Sequence, residues 1–380
     1  MPRCSIGYGE ETMKHIITAL GALAMTTTLA QAGGIDRSGQ DVGILFEKGR
    51  TVELSFGSVT PKVKGRDVLG NNIDNVADSF LQGSLGFKAD INDKLSYALI
   101  IDSPFAADIE YGGSPASTML GGTTATASST ALTGLLRYKF DDRMSVYGGL
   151  RLQQASAHID LRGLAYGGLN GYSVDLGTDN KVGYVVGAAY EIPDIALRVA
   201  LTYNSEIEHD FDTVETVGPF PFGSGKTKVK TPQSVNLDFQ SGVAKDTLIF
   251  GSIRWADWSS FKLNPDSFTA VSPGGLIDLE DTVTYTLGIG RKFNETWSGA
   301  FSLTYEDKAN PLVSPLAPTN GFFGATIAGV YTKDNMKISA GINYTKLGDA
   351  KPETGTPDVA RANFTDNDAV GVGVKIAFTF

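Results

Sequence analysis

The sequence predicts an all-β fold, a membrane-spanning antiparallel β-barrel of fourteen strands. Three observations predict it. From residue 50 onward apolar residues recur with period two, the pattern of a strand with one apolar face. Tight polar turns alternate with long polar loops along the chain, as short periplasmic turns and long external loops do in a barrel. Charged residues punctuate the opposite face of the same segments, where a dry core would make them costly.

Composition sets the frame. The 380 residues include 45 Gly, 15 Pro, 20 Phe, 14 Tyr and 3 Trp, with a net charge of −10. That length allows two domains or one large architecture at about 100–200 residues per domain. Mean hydropathy is close to zero, and no apolar run reaches the ~20 residues of a membrane helix. The aromatic content and regular apolar spacing argue against disorder. The acidic balance excludes a nucleic-acid surface, which needs clustered cations to neutralise phosphates. One Cys and three His leave no material for an internal disulfide, a Cys-rich zinc module or a multi-His metal site.

Residues 1–32 read as an export signal, with Met13 as the initiator. Lys14 supplies the basic region, Ile16–Met25 the apolar core, and Ala30-Gln31-Ala32 the cleavage pattern. The single Cys, Cys4, precedes Met13, so the mature chain from Gly33 has none.

The strand segments are 50–59, 79–89, 94–102, 129–140, 144–158, 172–190, 195–209, 226–240, 246–261, 281–292, 296–308, 322–332, 336–347 and 367–380. The last is the clearest. Val370, Val372, Val374, Ile376, Phe378 and Phe380 share one face, opposite Gly371, Gly373, Lys375, Ala377 and Thr379. Connections 90–93, 141–143, 191–194, 241–245, 293–295 and 333–335 are tight. Those at 60–78, 103–128, 159–171, 210–225, 262–280, 309–321 and 348–366 are long and rich in Gly, Pro, Ser, Thr and Asp. A Greek-key sandwich would break this alternation. In lipid the apolar face must point outward. The other face then carries Glu53, Lys88, Arg137, Arg151, Arg198, Asp238, Arg254, Glu306 and Lys375 into a wet lumen. Tyr and Trp near strand ends, such as Tyr203, Trp255, Trp297 and Tyr305, fit the two interfacial girdles.

Catalytic chemistry finds little support. His158 and His209 lie near the outer ends of strands without the carboxylate–His–Ser spacing of a hydrolase. Gly223-Ser224-Gly225-Lys226-Thr227 fails as a phosphate loop, because Phe220 stands where a Gly is needed and a strand follows. Acidic stretches such as Asp74–Asp78 and Asp366–Asp368 read as solvated loop polarity rather than cation sites. No metal or cofactor is expected. The loops carry Phe105, Ile109, Tyr111, Met119, Leu120, Phe220, Phe222, Phe268, Leu276 and Ile277. Such residues form a binding surface or pack the loops on one another, and the pattern leaves both open.

Several blocks together resemble the FadL-type outer-membrane family of long-chain fatty-acid and hydrocarbon transporters. They are Gly33-Gly34-Ile35-Asp36-Arg37-Ser38-Gly39-Gln40, Phe46-Glu47-Lys48-Gly49-Arg50, and Ile101-Asp102-Ser103-Pro104-Phe105. The most recognisable is Thr231-Pro232-Gln233-Ser234 followed by Trp255-Ala256-Asp257-Trp258-Ser259-Ser260-Phe261. The resemblance implies a fourteen-stranded barrel over residues 50–380 and an N-terminal hatch over residues 33–49. It also implies a kinked third strand beside a lateral exit at Ala98, Asp102, Ser103 and Pro104. The hatch is short and lacks the family's Asn-Pro-Ala motif. Arg137, Arg151 and Arg198 are candidates to pair with an anionic head group, or with lumen carboxylates such as Glu53 and Asp238. Phe105, Phe220 and Phe222 are candidates to hold an apolar chain.

The function this implies is diffusive uptake of long-chain fatty acids or similar hydrophobic compounds, not catalysis, in a bacterial outer membrane. Outer-membrane lipid and lipopolysaccharide would surround the barrel, with barrel-assembly machinery inserting it. A general diffusion porin and a barrel-embedded lipid hydrolase are the alternatives.

Overall fold

In a computed structural model, which describes residues 35–355 and 357–380, the chain closes into a fourteen-stranded antiparallel barrel. The expected signal at 1–32 and the first two hatch residues lie outside the described residues. The wall begins with β1 (Thr51–Lys62), β2 (Phe80–Asp90) and β3 (Leu95–Asp102, resuming as Ala106–Glu110). It continues through β4 (Thr124–Lys139), β5 (Met144–Leu161), β6 (Tyr172–Ile192), β7 (Leu197–Asn204, resuming as Ile207–Val217) and β8 (Phe220–Thr231, resuming as Ser234–Ala244). Then come β9 (Thr247–Ala256), β10 (Thr282–Lys292), β11 (Trp297–Glu306), β12 (Phe322–Lys333), β13 (Met336–Leu347) and β14 (Asp368–Thr379). Closure comes from β14 pairing with β1, from Thr51↔Thr379 to Lys62↔Asp368. Among the described residues this closure pairs the first wall strand with the last, so neither is left as a free edge.

The tight turns have a local cause. Asn92 Oδ1 accepts the backbone N–H groups of Lys94 and Leu95, Asp141 Oδ1 those of Arg143 and Met144, and Asn294 Oδ1 those of Thr296 and Trp297. An Asx side chain thus mimics a backbone turn at three separate corners. Asp246 and Asp334 tolerate positive φ, at 58° and 52°.

The wall is inverted relative to a water-soluble protein. Leu81 is 84% exposed and Ile327 66%, while Arg151 is 4% exposed and Gln153 fully buried. Aromatic pairs mark both rims of the apolar band. Trp297 packs on Tyr331 at 5.1 Å near the tight turns, and Tyr285 stands opposite Tyr305 near the long loops.

Two expected loops contain strand, since 103–128 holds the resumed part of β3 (Ala106–Glu110) and the start of β4 at Thr124, and 210–225 is strand on both sides of a turn. Residues 210–225 form the end of a protruding hairpin in which β7 and β8 continue to a turn at Gly218-Pro219. Its outward face is charged rather than apolar, with Lys226–Asp212 and Lys230–Glu206 both at 2.8 Å. Cross-strand ion pairs replace the alternation that marks strands inside lipid, so apolar period alone ends the strand too early. Phe220 therefore belongs to a strand end. In the remaining loops, the β1–β2 and β13–β14 connections share a small sheet (Gly65–Asp67, Asn72–Ile73, Ala362–Phe364). A helix α1 (Asp266–Val271) lies between β9 and β10. Beneath them Tyr111, Leu120, Tyr172, Phe268 and Phe364 form one buried cluster.

Candidate functional site: a window in the barrel wall

The third strand breaks at Ser103–Phe105, where Pro104 has no N–H to donate to a ladder. The Ser129 hydroxyl stands in on the β4 side, accepting from Phe105 N–H at 2.8 Å and donating to Phe105 C=O at 2.7 Å. On the β2 side nothing stands in. Pairing of β2 with β3 runs from Asp90↔Ser96 only to Leu85↔Ile101, and the chains rejoin at the Ala77↔Ile109 bridge. Between those points Phe80–Ser84 pair only with β1. The result is a window through the wall between β2 and the break in β3.

The hatch fills it. Asp36 bridges to Phe105, Ala106 N–H donates to Ile35 C=O at 3.0 Å, and Arg37 N–H donates to Pro104 C=O at 2.8 Å. This short segment satisfies the edge groups that the break exposes. Arg37 also reaches the far side. Its guanidinium sits 3.4 Å from the centroid of Phe80, Gln82 Nε2 donates to its C=O at 2.5 Å, and its Nε donates to Ala106 C=O at 3.1 Å. Ser38 Oγ donates to Asp102 Oδ2 at 2.5 Å on the lower rim.

Behind the window the hatch is moored to the opposite wall. Arg254 donates to Asp36 Oδ2 from Nε at 2.9 Å and Nη2 at 2.7 Å, with both side chains buried. Arg254 Nη1 also donates to Ser234 and Asn236, Ser234 Oγ donates to Gln40 Oε1 at 2.8 Å, and Asn236 Nδ2 donates to Gly39 C=O at 2.9 Å. A buried pair whose remaining lone pairs are satisfied in this way fixes register more than it adds stability. Gly39 and Gln40 turn the chain with φ of 60° and 56°, a conformation that suits glycine and strains other residues.

Below the turn the hatch becomes apolar. Val42, Ile44 and Leu45 pack on Ala98, Ile100, Leu135, Val185 and Ala200, each buried aliphatic contributing about 1.5–3 kcal/mol. Gly86 makes room, since a Cβ there would fall 2.5 Å from Ile44 Cδ1. Phe46 meets Tyr147 edge-on at 5.6 Å, with the Arg137 and Arg198 guanidiniums 4.5 and 4.6 Å from its centroid. A cavity of about 160 Å³ remains between hatch, window and wall, lined by Arg37, Asp41, Gln82, Asp102, Glu53 and Lys375 among others.

The expected exit residues Asp102, Ser103 and Pro104 therefore lie at the window, whereas Ala98 is buried beneath the hatch. The three candidate arginines are engaged by the protein. Arg137 pairs with Glu191 and Ser145, Arg151 donates to Thr133 at 2.9 Å and Asn204 at 3.0 Å, and Arg198 stacks on Phe46. Glu53 faces Lys375 at 3.6 Å. Of the candidate phenylalanines, Phe105 and Phe222 join the buried loop cluster through different neighbours and Phe220 stands apart. Phe105 meets Trp258 edge-on at 5.6 Å, Phe222 meets Tyr172 at 6.0 Å, and Phe220 is 71% exposed at the hairpin tip. Sequence reasoning missed Phe80 and Gln82 and had Arg37 only within a motif. Of the mooring pair it noted Arg254 only as a lumen charge and Asp36 only within a motif. The Asp36-Arg37 charges beside a Pro-interrupted strand were the available signal.

A family model described as outer membrane protein transport protein (OMPP1/FadL/TodX) matches residues 45–380. No curated protein matches the chain. Among solved structures, a FadL homologue of Pseudomonas aeruginosa aligns with a TM-score of 0.70 at 14% identity, covering 89% of this chain and 92% of that one. The Pseudomonas putida toluene transporter TodX aligns at 0.62 and 13% identity, covering 89% and 91%. The Ralstonia pickettii toluene transporter TbuX aligns at 0.62 and 12%, covering 88% and 90%. At these identities the structures establish the fold, and the family's members are transport channels rather than enzymes. With its match running through the whole wall from the hatch to the last strand, the chain belongs to the OMPP1/FadL/TodX family of outer-membrane transport proteins.

Proposed function

We propose that this barrel carries hydrophobic compounds by diffusion from the external face to the window between β2 and β3, releasing them sideways into the membrane. The observation that carries the reading is the window itself. A water-soluble solute gains nothing from an opening that faces lipid. An apolar ligand gains about 25 cal/mol per Å² of surface it keeps from water. Apolar packing supports the same direction, since the buried cluster beneath the loops reaches down to Phe105 at the break.

The substrate class is proposed at the level of an apolar body. Long-chain fatty acids, expected from the sequence, and toluene, named for two of the matched structures, share it. The loop residues Tyr111, Met119, Leu120 and Phe268 pack on one another, which supports the packing alternative for them. Export by the 1–32 signal, a surrounding lipopolysaccharide leaflet and insertion by barrel-assembly machinery complete the proposal. The test is uptake by a strain lacking the protein. Loss of hydrophobic-compound uptake with normal uptake of small hydrophilic solutes supports the reading. The opposite outcome makes the barrel a general porin.

A further inference from the structure

A second cavity lies between the β9–β10 and β11–β12 loops. It measures about 590 Å³ and runs from Tyr285 and Tyr305 on the lipid-facing side to Trp258 at its inner end. Leu279, Val283, Leu312 and Val313 line the walls between them. Trp258 is 1% exposed, and its indole Nε1–H has no acceptor among the described residues. On its far side the Trp258 ring meets Phe105, which stands at the break in β3. Glu306, Thr319 and Gly321 line both this cleft and a small neighbouring cavity that Arg37 and Phe80 also line, so the cleft adjoins the window region.

The charge of the cleft is one-sided. Glu280, Asp281 and Asp307 line it beside the single lining cation Lys308, while Asp278 is paired with Lys262 and Glu306 is engaged by Thr284. A head group held among these residues lies closer to them than the Debye length of roughly 8 Å at physiological ionic strength, a range over which salt screens little. Apolar walls with an acidic mouth attract an apolar body and repel a negative head group.

We propose that this cleft is a binding site for an uncharged hydrophobic molecule, and that its acidic lining selects against anions of the same chain length. The inference rests on the uptake reading above and narrows its substrate class. Nothing in the lumen cavity reverses the preference, because there Asp41, Glu53 and Asp102 face Arg37 and Lys375.

The test uses the full chain with Trp255 and Trp297 replaced by Phe, leaving Trp258 as the sole tryptophan. Its emission is followed while a bromine-tailed long-chain alcohol, or the carboxylate of the same length, is added above neutral pH. Contact of bromine with the indole quenches it. The expected result is half-quenching by the alcohol at about tenfold lower concentration than by the carboxylate, a factor two neighbouring charges readily supply. Glu280→Gln, Asp281→Asn and Asp307→Asn together should close the gap. These amides keep the acceptors now used by Asn310, Ser259 and Lys308 N–H groups, so the loops stay folded. Equal quenching in the parent, or a gap that survives the substitutions, overturns the charge selection. Absence of quenching by either ligand overturns the cleft as a site. The uptake reading falls separately, only if deletion of the protein leaves hydrophobic-compound uptake unchanged.

Discussion

The Arg37 guanidinium lies 3.4 Å from the centroid of the Phe80 ring. This contact joins the hatch to the upper edge of a window whose other edge Arg37 also holds through Pro104 and Ala106. One side chain therefore spans an opening that the strands leave unpaired. A desolvated cation–π contact of this kind contributes about 2 kcal/mol.

Arg37→Ala should open the window more often. With Ser103→Cys as a reporter, labelling by a lipid-soluble maleimide is expected to accelerate roughly thirtyfold on loss of that contact. Arg37→Lys should fall between the two, because an ammonium keeps the charge but not the planar stacking. Unchanged labelling in Arg37→Ala would assign closure to the hatch backbone alone.

Asp36→Asn should loosen the hatch without unfolding the wall. Leaving Arg254 buried and unpaired costs about 3–5 kcal/mol, and the hatch can relieve that cost by leaving its seat. Hydrogen exchange at residues 36–41 is expected to speed up while β9 and β10 amides stay protected. Asp36→Leu combined with Arg254→Leu should recover part of the protection, since no charge is then stranded.

Gly86→Ala tests how tightly the apolar part of the hatch is seated. The new methyl would meet Ile44 Cδ1 at 2.5 Å, and overpacking of this kind costs about 1–3 kcal/mol. Ile44→Val should relieve it. Protection of the Leu45 and Phe46 amides, compared across the two single variants and the double variant, reads the coupling.

The external loops carry a pH dependence. Glu353, on the strand Lys351–Thr354 outside the membrane, has its carboxyl pushed up from 4.5 to about 7 by burial and then by Asp358, with Arg361 opposing. A raised carboxyl pKa favours the folded loop while the group is neutral. The stabilisation is full below about pH 4.5 and disappears as pH rises through about 7. Exchange of amides in 351–354 and 359–360, corrected for intrinsic rates, should therefore accelerate over that interval. Glu353→Gln should flatten the profile.

Much of the wall was legible in the sequence. The period of two, the alternation of tight and long connections, and the inward charges from Glu53 to Lys375 required only local rules, because each strand must present one face to lipid. The hairpin of β7 and β8 was not legible from that signal. Above the lipid its outward residues Asp210, Asp212, Lys226 and Lys228 face water, so no apolar period marks them as strand. The candidate arginines illustrate a second limit. Strand periodicity marked Arg137, Arg151 and Arg198 as lumen cations, but only barrel closure and the seating of the hatch decide that Glu191, Asn204 and Phe46 are their neighbours.

Although a kinked third strand was expected only from the family resemblance, the sequence by itself determined the barrel, its strand number and the outward apolar face. These follow from rules that act within a strand or between successive strands. Only the tertiary structure decided what fills the interruption. Asp36 and Arg254 are separated by 218 positions, and Arg37 and Phe80 meet only because the hatch folds back through the lumen. Contacts between segments so far apart depend on barrel closure and register. No local pattern in the chain encodes that geometry.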